Sequence, residues 1–232
     1  MITQNLKQTQ NNIAEAAKKS GRTSDDILLV AVSKTKPLSA LQEAYNAGIR
    51  DFGENKVQEL CDKYDQLPKD IRWHMIGHLQ TNKVKYVIGN ASLIQSVDRL
   101  ELAKEISRLA VKAGITQNVL AEVNIGGEAQ KGGIAPCELK DLLSIISELP
   151  GIRVKGLMCV PPAVGEEEAR RYFASMRRLF ENIASAGIPG VDMRELSMGM
   201  SGDYKSAIKE GATMVRVGTA IFGARPAAVA RA

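Results

Sequence analysis

The sequence predicts an α/β protein built as a single (β/α)8 barrel of the TIM type, with an extra helix at its amino terminus. Short apolar segments alternate with longer amphipathic segments along the 232 residues, which is the pattern of βα units around a parallel sheet. Eight apolar segments of strand character are present, the number that a closed barrel of this class requires. No low-complexity linker divides the chain, so one domain spanning residues 1–232 is expected. An open doubly wound sheet is the alternative, but it usually has fewer strands, and no GxGxxG follows the first strand.

The elements follow in order along the chain. Ile2, Leu6 and Ile13 mark the apolar side of a first helix over residues 2–19. The predicted strands are residues 28–33, 49–52, 73–76, 93–96, 118–123, 154–158, 194–197 and 213–217. The helices between them are predicted at residues 39–47, 57–65, 83–88, 99–113, 138–148, 166–186 and 203–210.

Helix ends carry their own signals. Gly48, Gly114 and Gly187 each follow a predicted helix, where a left-handed residue commonly ends the helix. Asp98 precedes the helix at residues 99–113, and Glu101 stands three residues later. This spacing predicts a capping box at that amino terminus.

The first strand ends in a lysine. Residues 28–32 are apolar at every position, which is typical of a strand buried on both faces. Lys34 then emerges at the carboxyl end of the strand, where barrels collect their binding and catalytic groups. A partly desolvated amine loses its proton more readily and attacks carbonyl compounds. Lys34 is therefore a candidate for covalent binding of a carbonyl ligand, and a surface lysine beyond a core strand is the equal alternative.

The turns after the last two strands predict an anion site. Both are rich in glycine and hydroxyl residues, and loops after strands seven and eight are the usual phosphate site of barrel enzymes. The predicted phosphate-binding residues are Ser197, Gly199, Ser201, Gly218 and Thr219. Together with Lys34 they indicate a phosphorylated aldehyde or ketone. Arg216 shares the strand face of Gly218, so it is expected to donate to a ring nitrogen or to the phosphate, or to form a structural salt bridge.

Composition excludes several classes. Aromatic residues make up 4% of the chain, and the net charge of +5 is spread without a basic run, so no nucleic-acid partner is expected. Cys61, Cys137 and Cys159 lack any CxxC spacing, which argues against a structural zinc site or a disulfide framework. No membrane span or signal peptide is recognised, so no membrane partner and a cytoplasmic location are expected.

Six segments carry a resemblance to a known family. They are VAVSKTKP at residues 30–37, FGEN at 52–55, WHMIGHLQTNK at 73–83, GLM at 156–158, LSMGMS at 196–201 and VRVGTAIFG at 215–223. In this order they resemble the pyridoxal phosphate homeostasis proteins, over residues 28–225. The resemblance implies the barrel of the alanine racemase amino-terminal domain and pyridoxal 5′-phosphate (PLP) as cofactor.

The resemblance also implies residue roles. Lys34 would hold PLP as a Schiff base, Arg216 would face the pyridine nitrogen, and Ser197, Gly218 and Thr219 would hold the phosphate. The pocket would be lined by Asn55, His78 and Met200. Supporting or PLP-transfer roles at most are implied for Lys36, Lys83 and Lys131. Lys56 departs from the tyrosine of many members, which leaves an aromatic contact there in doubt.

The residues favour binding over turnover. An arginine at the ring nitrogen disfavours its protonation and weakens the cofactor as an electron sink. Alanine racemases take a second acid/base from an additional β-domain, and the chain to Ala232 is expected to lack one. The prediction is a monomeric PLP carrier without robust catalysis, with PLP-dependent apoenzymes as possible recipients. A racemase-like enzyme, an aldolase using Lys34, and a nucleic-acid or partner-binding module suggested by the charge alone are the alternatives.

Overall fold

Eight parallel strands close into a barrel in the computed structural model, which describes residues 1–128 and 130–224. Each strand pairs with its sequence neighbours, and β1 closes the ring against β8 through pairs such as Val30 with Arg216. This confirms the predicted TIM-type barrel. Arg225, where the family resemblance ends, and the last residues of the expected domain lie outside the described residues.

The strands lie close to their predicted positions. They are β1 Leu28–Val32, β2 Asp51–Glu54, β3 Arg72–Met75, β4 Leu93–Val97, β5 Gln117–Glu122, β6 Ile152–Met158, β7 Val191–Ser197 and β8 Met214–Val217. The predicted start of β2 is early by two residues, because the Ile49 amide donates to Ala44 O at the end of the preceding helix. The predicted start of β7 is late by three residues, because Val191 already pairs with Val154 of β6 and Asp192 binds Lys155 there.

The helices surround the barrel. They are α1 Ile2–Lys19, α2 Leu38–Asn46, α3 Val57–Gln66, α4 Leu100–Lys112, α5 Leu139–Ser147, α6 Glu166–Ala186, α7 Tyr204–Lys209 and α8 Thr219–Phe222. The segment predicted as a helix over residues 83–88 is instead a 3-10 helix, Thr81–Tyr86. The extra helix α1 packs beside α7 and α8, where Asn5 Nδ2 donates to Ile221 O and Asn12 Nδ2 to Tyr204 Oη.

The helix-end signals have mixed outcomes. Gly48, Gly114 and Gly187 all have positive φ, at 100°, 67° and 60°, as predicted. The capping box at α4 is wrong, because Arg99 is the capping residue and no side chain caps the helix. The Asp98 carboxylate turns instead to Arg99, at 2.5 Å from Nη1, and towards His78, at 3.5 Å from Nδ1.

Two apolar regions support the site. The larger core fills the space between the barrel and its helices, with Phe52 and Trp73 packed at 5.8 Å between ring centroids. A smaller cluster inside the barrel contains Val30, Leu93, Leu120, Met158 and Met214. Interior side chains therefore fill the barrel below its mouth and leave open space only at the carboxyl ends of the strands. Among the described helices, none combines the length and the apolar character needed to cross a membrane.

Candidate functional site

A cleft of about 410 Å³ opens at the carboxyl ends of the strands. Its lining joins the first two βα units to the last two, with one side contributed by β3 and the turn after β6. The lining residues are Val32, Lys34, Lys36, Asn55, Ile76, Val160, Met200, Ser201, Gly202, Arg216, Gly218, Thr219 and Gly223. Seven of the ten predicted site residues are in this set, and His78, Ser197 and Gly199 are not. The volume is within the range of small-molecule sites.

A buried network fixes the backbone that carries Lys34. The Ser33 hydroxyl donates to Glu54 Oε1 at 2.6 Å, and Lys63 Nζ donates to both Ser33 O at 2.8 Å and the same Glu54 oxygen at 2.7 Å. Burial raises the pKa of Glu54, against the opposing pull of the Lys63 cation and the Ser33 hydroxyl. The sequence prediction missed Lys63. A lysine at helical spacing among polar neighbours gives no signal that it turns inward.

Thr35, directly after Lys34, holds a strained conformation. Its φ is +63°, the only positive φ at a residue other than glycine in residues 1–128 and 130–224. A β-branched residue avoids this region, so the surrounding structure must impose it. Here the Thr35 amide donates to Glu59 Oε2 at 2.7 Å, and Glu59 also binds Lys63 at 3.2 Å. These contacts hold the turn that presents Lys34 in its strained conformation.

The turn into α8 presents backbone donors. Gly218 N and Ala220 N donate to the Ser201 hydroxyl oxygen, at 3.1 and 3.4 Å. A Cβ atom at Gly218 would meet Val32 O at 3.1 Å, so a larger residue there would have to push this turn or β1 back by a few tenths of an ångström. Thr219 begins α8 and is exposed at the rim of the cleft. Two backbone N–H groups therefore converge on the Ser201 hydroxyl at this corner of the cleft, and Thr219 lies between them in the sequence.

Arg216 forms the floor of the cleft. Its guanidinium is buried, and it donates from Nη1 to Ser197 Oγ at 2.6 Å and from Nη2 to Cys159 O at 2.8 Å. Ser197 thus lies beneath Arg216 and not at the cleft surface. Gly199 acts through its backbone, because its carbonyl oxygen accepts the Arg216 amide at 3.0 Å. Burial raises the pKa of the Cys159 thiol to about 12, so this cysteine is unreactive.

Asn55 stands between two clefts. Its Oδ1 is buried without a hydrogen-bond partner. A second cleft of about 490 Å³ shares Asn55 and is lined also by Lys56, Val57, Gln58, Cys61, His78, Gln80, Lys83 and Tyr86. His78 is therefore beside the Lys34 cleft and not within it, and its side chain is 60% exposed. An unpaired buried amide oxygen is costly unless a ligand donates to it.

The other lysines named by the resemblance have distinct places. Lys36 Nζ donates to Phe222 O, Gly223 O and Ala224 O, each at 3.0 Å, and so ties the β1 turn to the end of α8. Lys131 lies in the loop after β5, where it donates to Pro161 O at 3.1 Å and pairs with Glu128 at 2.5 Å. Lys83 lies in the second cleft, 5.7 Å from the centroid of the Tyr86 ring. Met200 is 37% exposed at the rim.

Glu122 on β5 adds an ionisable carboxyl group near the mouth of the barrel. Leu120 points into the barrel, so Glu122, two residues later, points the same way and nearer the mouth. Burial and the neighbouring Asp98 raise the pKa of Glu122 to about 7, against the attraction of Arg216. Sequence reasoning missed Glu122, because a lone acid at a strand end is common. No three His, Cys, Asp or Glu side chains in residues 1–128 and 130–224 are arranged to bind a metal ion.

Comparisons with known proteins agree with this architecture. The family model of the alanine racemase N-terminal domain matches residues 4–226. A pyridoxal phosphate homeostasis protein of Aquifex aeolicus (strain VF5) is 46% identical over 222 residues, covering 95% of this chain and 96% of the relative. A crystal structure of an unknown protein from Bifidobacterium adolescentis superposes with a TM-score of 0.91 at 39% identity, covering 95% of this chain and 94% of its own. PipY of Synechococcus elongatus PCC7942, solved with PLP bound, gives a TM-score of 0.80 at 36% identity, covering 91% of this chain and 100% of PipY.

Proposed function

Because this chain belongs to the alanine racemase N-terminal domain family and, within it, to the pyridoxal phosphate homeostasis proteins, we propose that it binds PLP and serves intracellular vitamin B6 homeostasis. The cofactor is held as a Schiff base on Lys34. The observation that carries the proposal is the cleft itself, which places a lysine, a buried arginine and a cradle of backbone donors around one space.

The residues present fit this cofactor. The turn at Ser201, Gly218 and Thr219 carries two hydroxyl groups that can donate to a phosphate. Its Gly218 and Ala220 N–H groups, which donate to Ser201 Oγ here, would reach a phosphate if that hydroxyl turned away. Asn55 Oδ1 is a buried acceptor without a partner, which is suited to a ligand hydroxyl or N–H group. Arg216 at the floor is a cation suited to an aromatic nitrogen that carries a lone pair.

This chain's own residues have separable tasks. When bound, PLP supplies an aldehyde that condenses with a primary amine, with loss of water, and a pyridine ring that withdraws electrons. Lys34 provides the amine, and the Ser33–Glu54–Lys63 network fixes the backbone on which it stands. Arg216 donates towards the ring nitrogen and, as a cation, opposes its protonation. Ser201, Gly218 and Thr219 hold the phosphate.

The absence of robust catalysis is part of the proposal. The cleft opens to solvent at the rim, where Met200 and Val160 are each 37% exposed, and a wet site is poor for carbanion chemistry. No tyrosine lines the Lys34 cleft in the described part of the chain. We propose that the protein acts as a monomer, with PLP-dependent apoenzymes as recipients. A racemase-like enzyme is the second candidate, and the carboxyl group of Glu122 inside the mouth favours it.

The visible spectrum before and after borohydride tests the proposal. A yellow band that borohydride removes, with a phosphopyridoxyl mass on the peptide containing Lys34, is expected in the wild type. Lys34→Ala should lose both, and Lys83→Ala, which removes a lysine from the adjacent cleft, should keep both. A wild-type protein that added PLP cannot colour would refute PLP binding. Steady turnover of a D- or L-amino acid, abolished in Glu122→Gln, would favour the racemase.

A further inference from the structure

A continuous chain of hydrogen bonds runs down the inside of the barrel from Arg216. The Ser197 hydroxyl accepts from Arg216 Nη1 at 2.6 Å and donates to Gln95 Oε1 at 2.7 Å. Gln95 Nε2 lies 2.9 Å from His74 Nδ1, and His74 Nε2 lies 3.1 Å from Asp51 Oδ1. Asp51 then pairs with Arg72, whose side chain is 56% exposed at the opposite end of the barrel. The chain of contacts thus joins the cleft floor to the amino-terminal face.

Each member is buried, so each hydrogen bond is costly to lose. Gln95 and Ser197 have no exposed surface, and His74, Arg216 and Asp51 are only 3–4% exposed. A buried polar side chain destabilises a core when its hydrogen-bonding groups are unpaired. A network of such side chains is tolerated when its donors and acceptors are paired. Here they occupy the barrel interior, which bulky apolar residues usually fill.

With Gln95 Oε1 facing Ser197 and Nε2 facing His74, the donors and acceptors run in one direction. Arginine only donates, so Ser197 must accept from it and give its own proton to Gln95 Oε1. Gln95 Nε2 must then donate to His74 Nδ1, which leaves the His74 proton on Nε2 facing Asp51. Burial tends to raise the pKa of Asp51, but the contacts from His74 and Arg72 outweigh it and hold that pKa below its usual range. The chain therefore ends on a carboxylate.

We propose that Ser197, Gln95 and His74 are positioning residues that fix the Arg216 guanidinium against the ring nitrogen of the ligand. This rests on the proposed PLP binding. The Arg216 guanidinium has two anchors, Ser197 Oγ and Cys159 O, and only the Ser197 anchor continues into further side chains. Ser197, Gln95 and His74 line neither cleft, yet they set the orientation of the Arg216 guanidinium. That guanidinium is the group proposed to influence the ring nitrogen of the cofactor. Ser197 takes this role instead of the phosphate contact that the resemblance implies.

Substitutions at Gln95 test the assignment two contacts away from the ligand. Gln95→Met keeps the length of the side chain and removes both polar contacts. It should weaken PLP affinity about tenfold, the scale of one buried hydrogen bond to a charged group, and shift the visible absorption maximum. Gln95→Glu keeps the acceptor for Ser197 and should return the affinity to within about threefold. Leu120→Met, another buried and inward-facing position, is the matched control and should bind as the wild type does.

Histidine NMR gives a readout that does not depend on PLP. The chain has two histidines, and only His74 is buried, so nitrogen-15 spectra separate the two rings. We expect the wild-type His74 ring to be neutral with its proton on Nε2. In Gln95→Glu the new carboxylate should accept from Nδ1, so the ring should carry both protons. We call the hydrogen-bonded series Ser197–Gln95–His74 the relay. A wild-type His74 with its proton on Nδ1 would overturn the relay even if a Gln95 variant fails to fold.

The outcomes separate the two proposals. If wild-type protein binds PLP and folded Gln95→Met matches it in affinity and absorption maximum, the relay is refuted and PLP binding stands. If the wild type binds no PLP, PLP binding is refuted. The orientation of Arg216 then has no ligand to serve, and the relay proposal falls with it. Loss in Gln95→Met with recovery in Gln95→Glu and the expected His74 protonation establishes the relay.

Discussion

Replacing Glu122 by glutamine should make the protein more stable at alkaline pH and leave it almost unchanged at acidic pH. Burial and Asp98 raise the pKa of Glu122 to about 7 in the folded protein, from an ordinary value of 4.5. Between these values the folded state keeps a proton that the unfolded chain has released. Stability therefore falls as the pH rises through this window. Glutamine has the same shape, does not titrate, and removes this loss.

The size of the effect follows from the two values. At 1.36 kcal/mol per pKa unit, the difference between 4.5 and about 7 corresponds to at most about 3 kcal/mol. Glu122 keeps part of its surface in solvent, which screens the charge, so about 1 to 3 kcal/mol is expected.

The assay is urea denaturation of the PLP-free protein at pH 5, 6, 7 and 8, for the wild type and for Glu122→Gln. The difference in free energy of unfolding should grow between pH 5 and pH 7 and level off by pH 8, where the carboxyl group is ionised in both states. Glu15→Gln, at an exposed position on α1, is the control and should stay parallel to the wild type. Parallel curves for Glu122→Gln would show that this carboxyl titrates as it does in the unfolded chain, and the reasoning would be refuted.

Three further substitutions have expected outcomes. Lys63→Met leaves the Glu54 carboxylate buried without its cation and should cost about 3 to 5 kcal/mol in urea denaturation, with more than half recovered in Lys63→Met/Glu54→Gln; a Lys63→Met protein as stable as the wild type would contradict the pairing. Gly156→Ala places a Cβ atom 1.8 Å from Glu195 O at a φ of +147°, so it should lower the melting temperature by well over 10 °C or abolish soluble expression. A shift of only a degree or two would mean that β6 and β7 can move apart. Lys36→Met loses three contacts with carbonyl oxygens at the end of α8 and should cost about 1 to 2 kcal/mol by thermal unfolding, whereas Lys56→Met should cost almost nothing; equal effects of the two would exclude a specific clamp.

Local patterns predicted the fold because eight short segments of strand character, of which β1 is apolar throughout, alternate with amphipathic helical segments. The bounds of α1 and α6 agree with prediction to the residue, since both helices have long amphipathic periods and sharp ends. The 3-10 helix Thr81–Tyr86 was predicted as an ordinary helix, because six residues are too few for periodicity to separate the two. Asp98 was predicted to cap α4, but its charge is used by Arg99 and His78, which are contacts that spacing alone does not reveal.

The candidate site was predicted from the positions of residues just after each strand. Such positions do not show how far below the rim of the barrel a side chain lies. Lys34, Ser201 and Gly218 follow strands and do line the cleft. Ser197 ends β7 in the same way, yet it pairs with Met214 of β8 and so lies one layer below the rim. The Lys63–Glu54 pair and the Gln95–His74 contact join distant parts of the chain, and each of these residues taken alone resembles an ordinary polar residue.

The contact between Lys36 and the end of α8 joins the turn after the first strand to the carboxyl-terminal end of the described chain. Lys34 lies in the turn after the first strand, whereas Arg216, Gly218 and Thr219 are made more than 180 residues later. During synthesis on the ribosome, the lysine proposed to capture the cofactor is therefore made long before the proposed arginine and phosphate contacts exist. The barrel closes only when β8 reaches β1. A chain interrupted before β8 has Lys34 without the rest of the cleft, so if the proposed site binds PLP, binding should begin only when synthesis has passed β8.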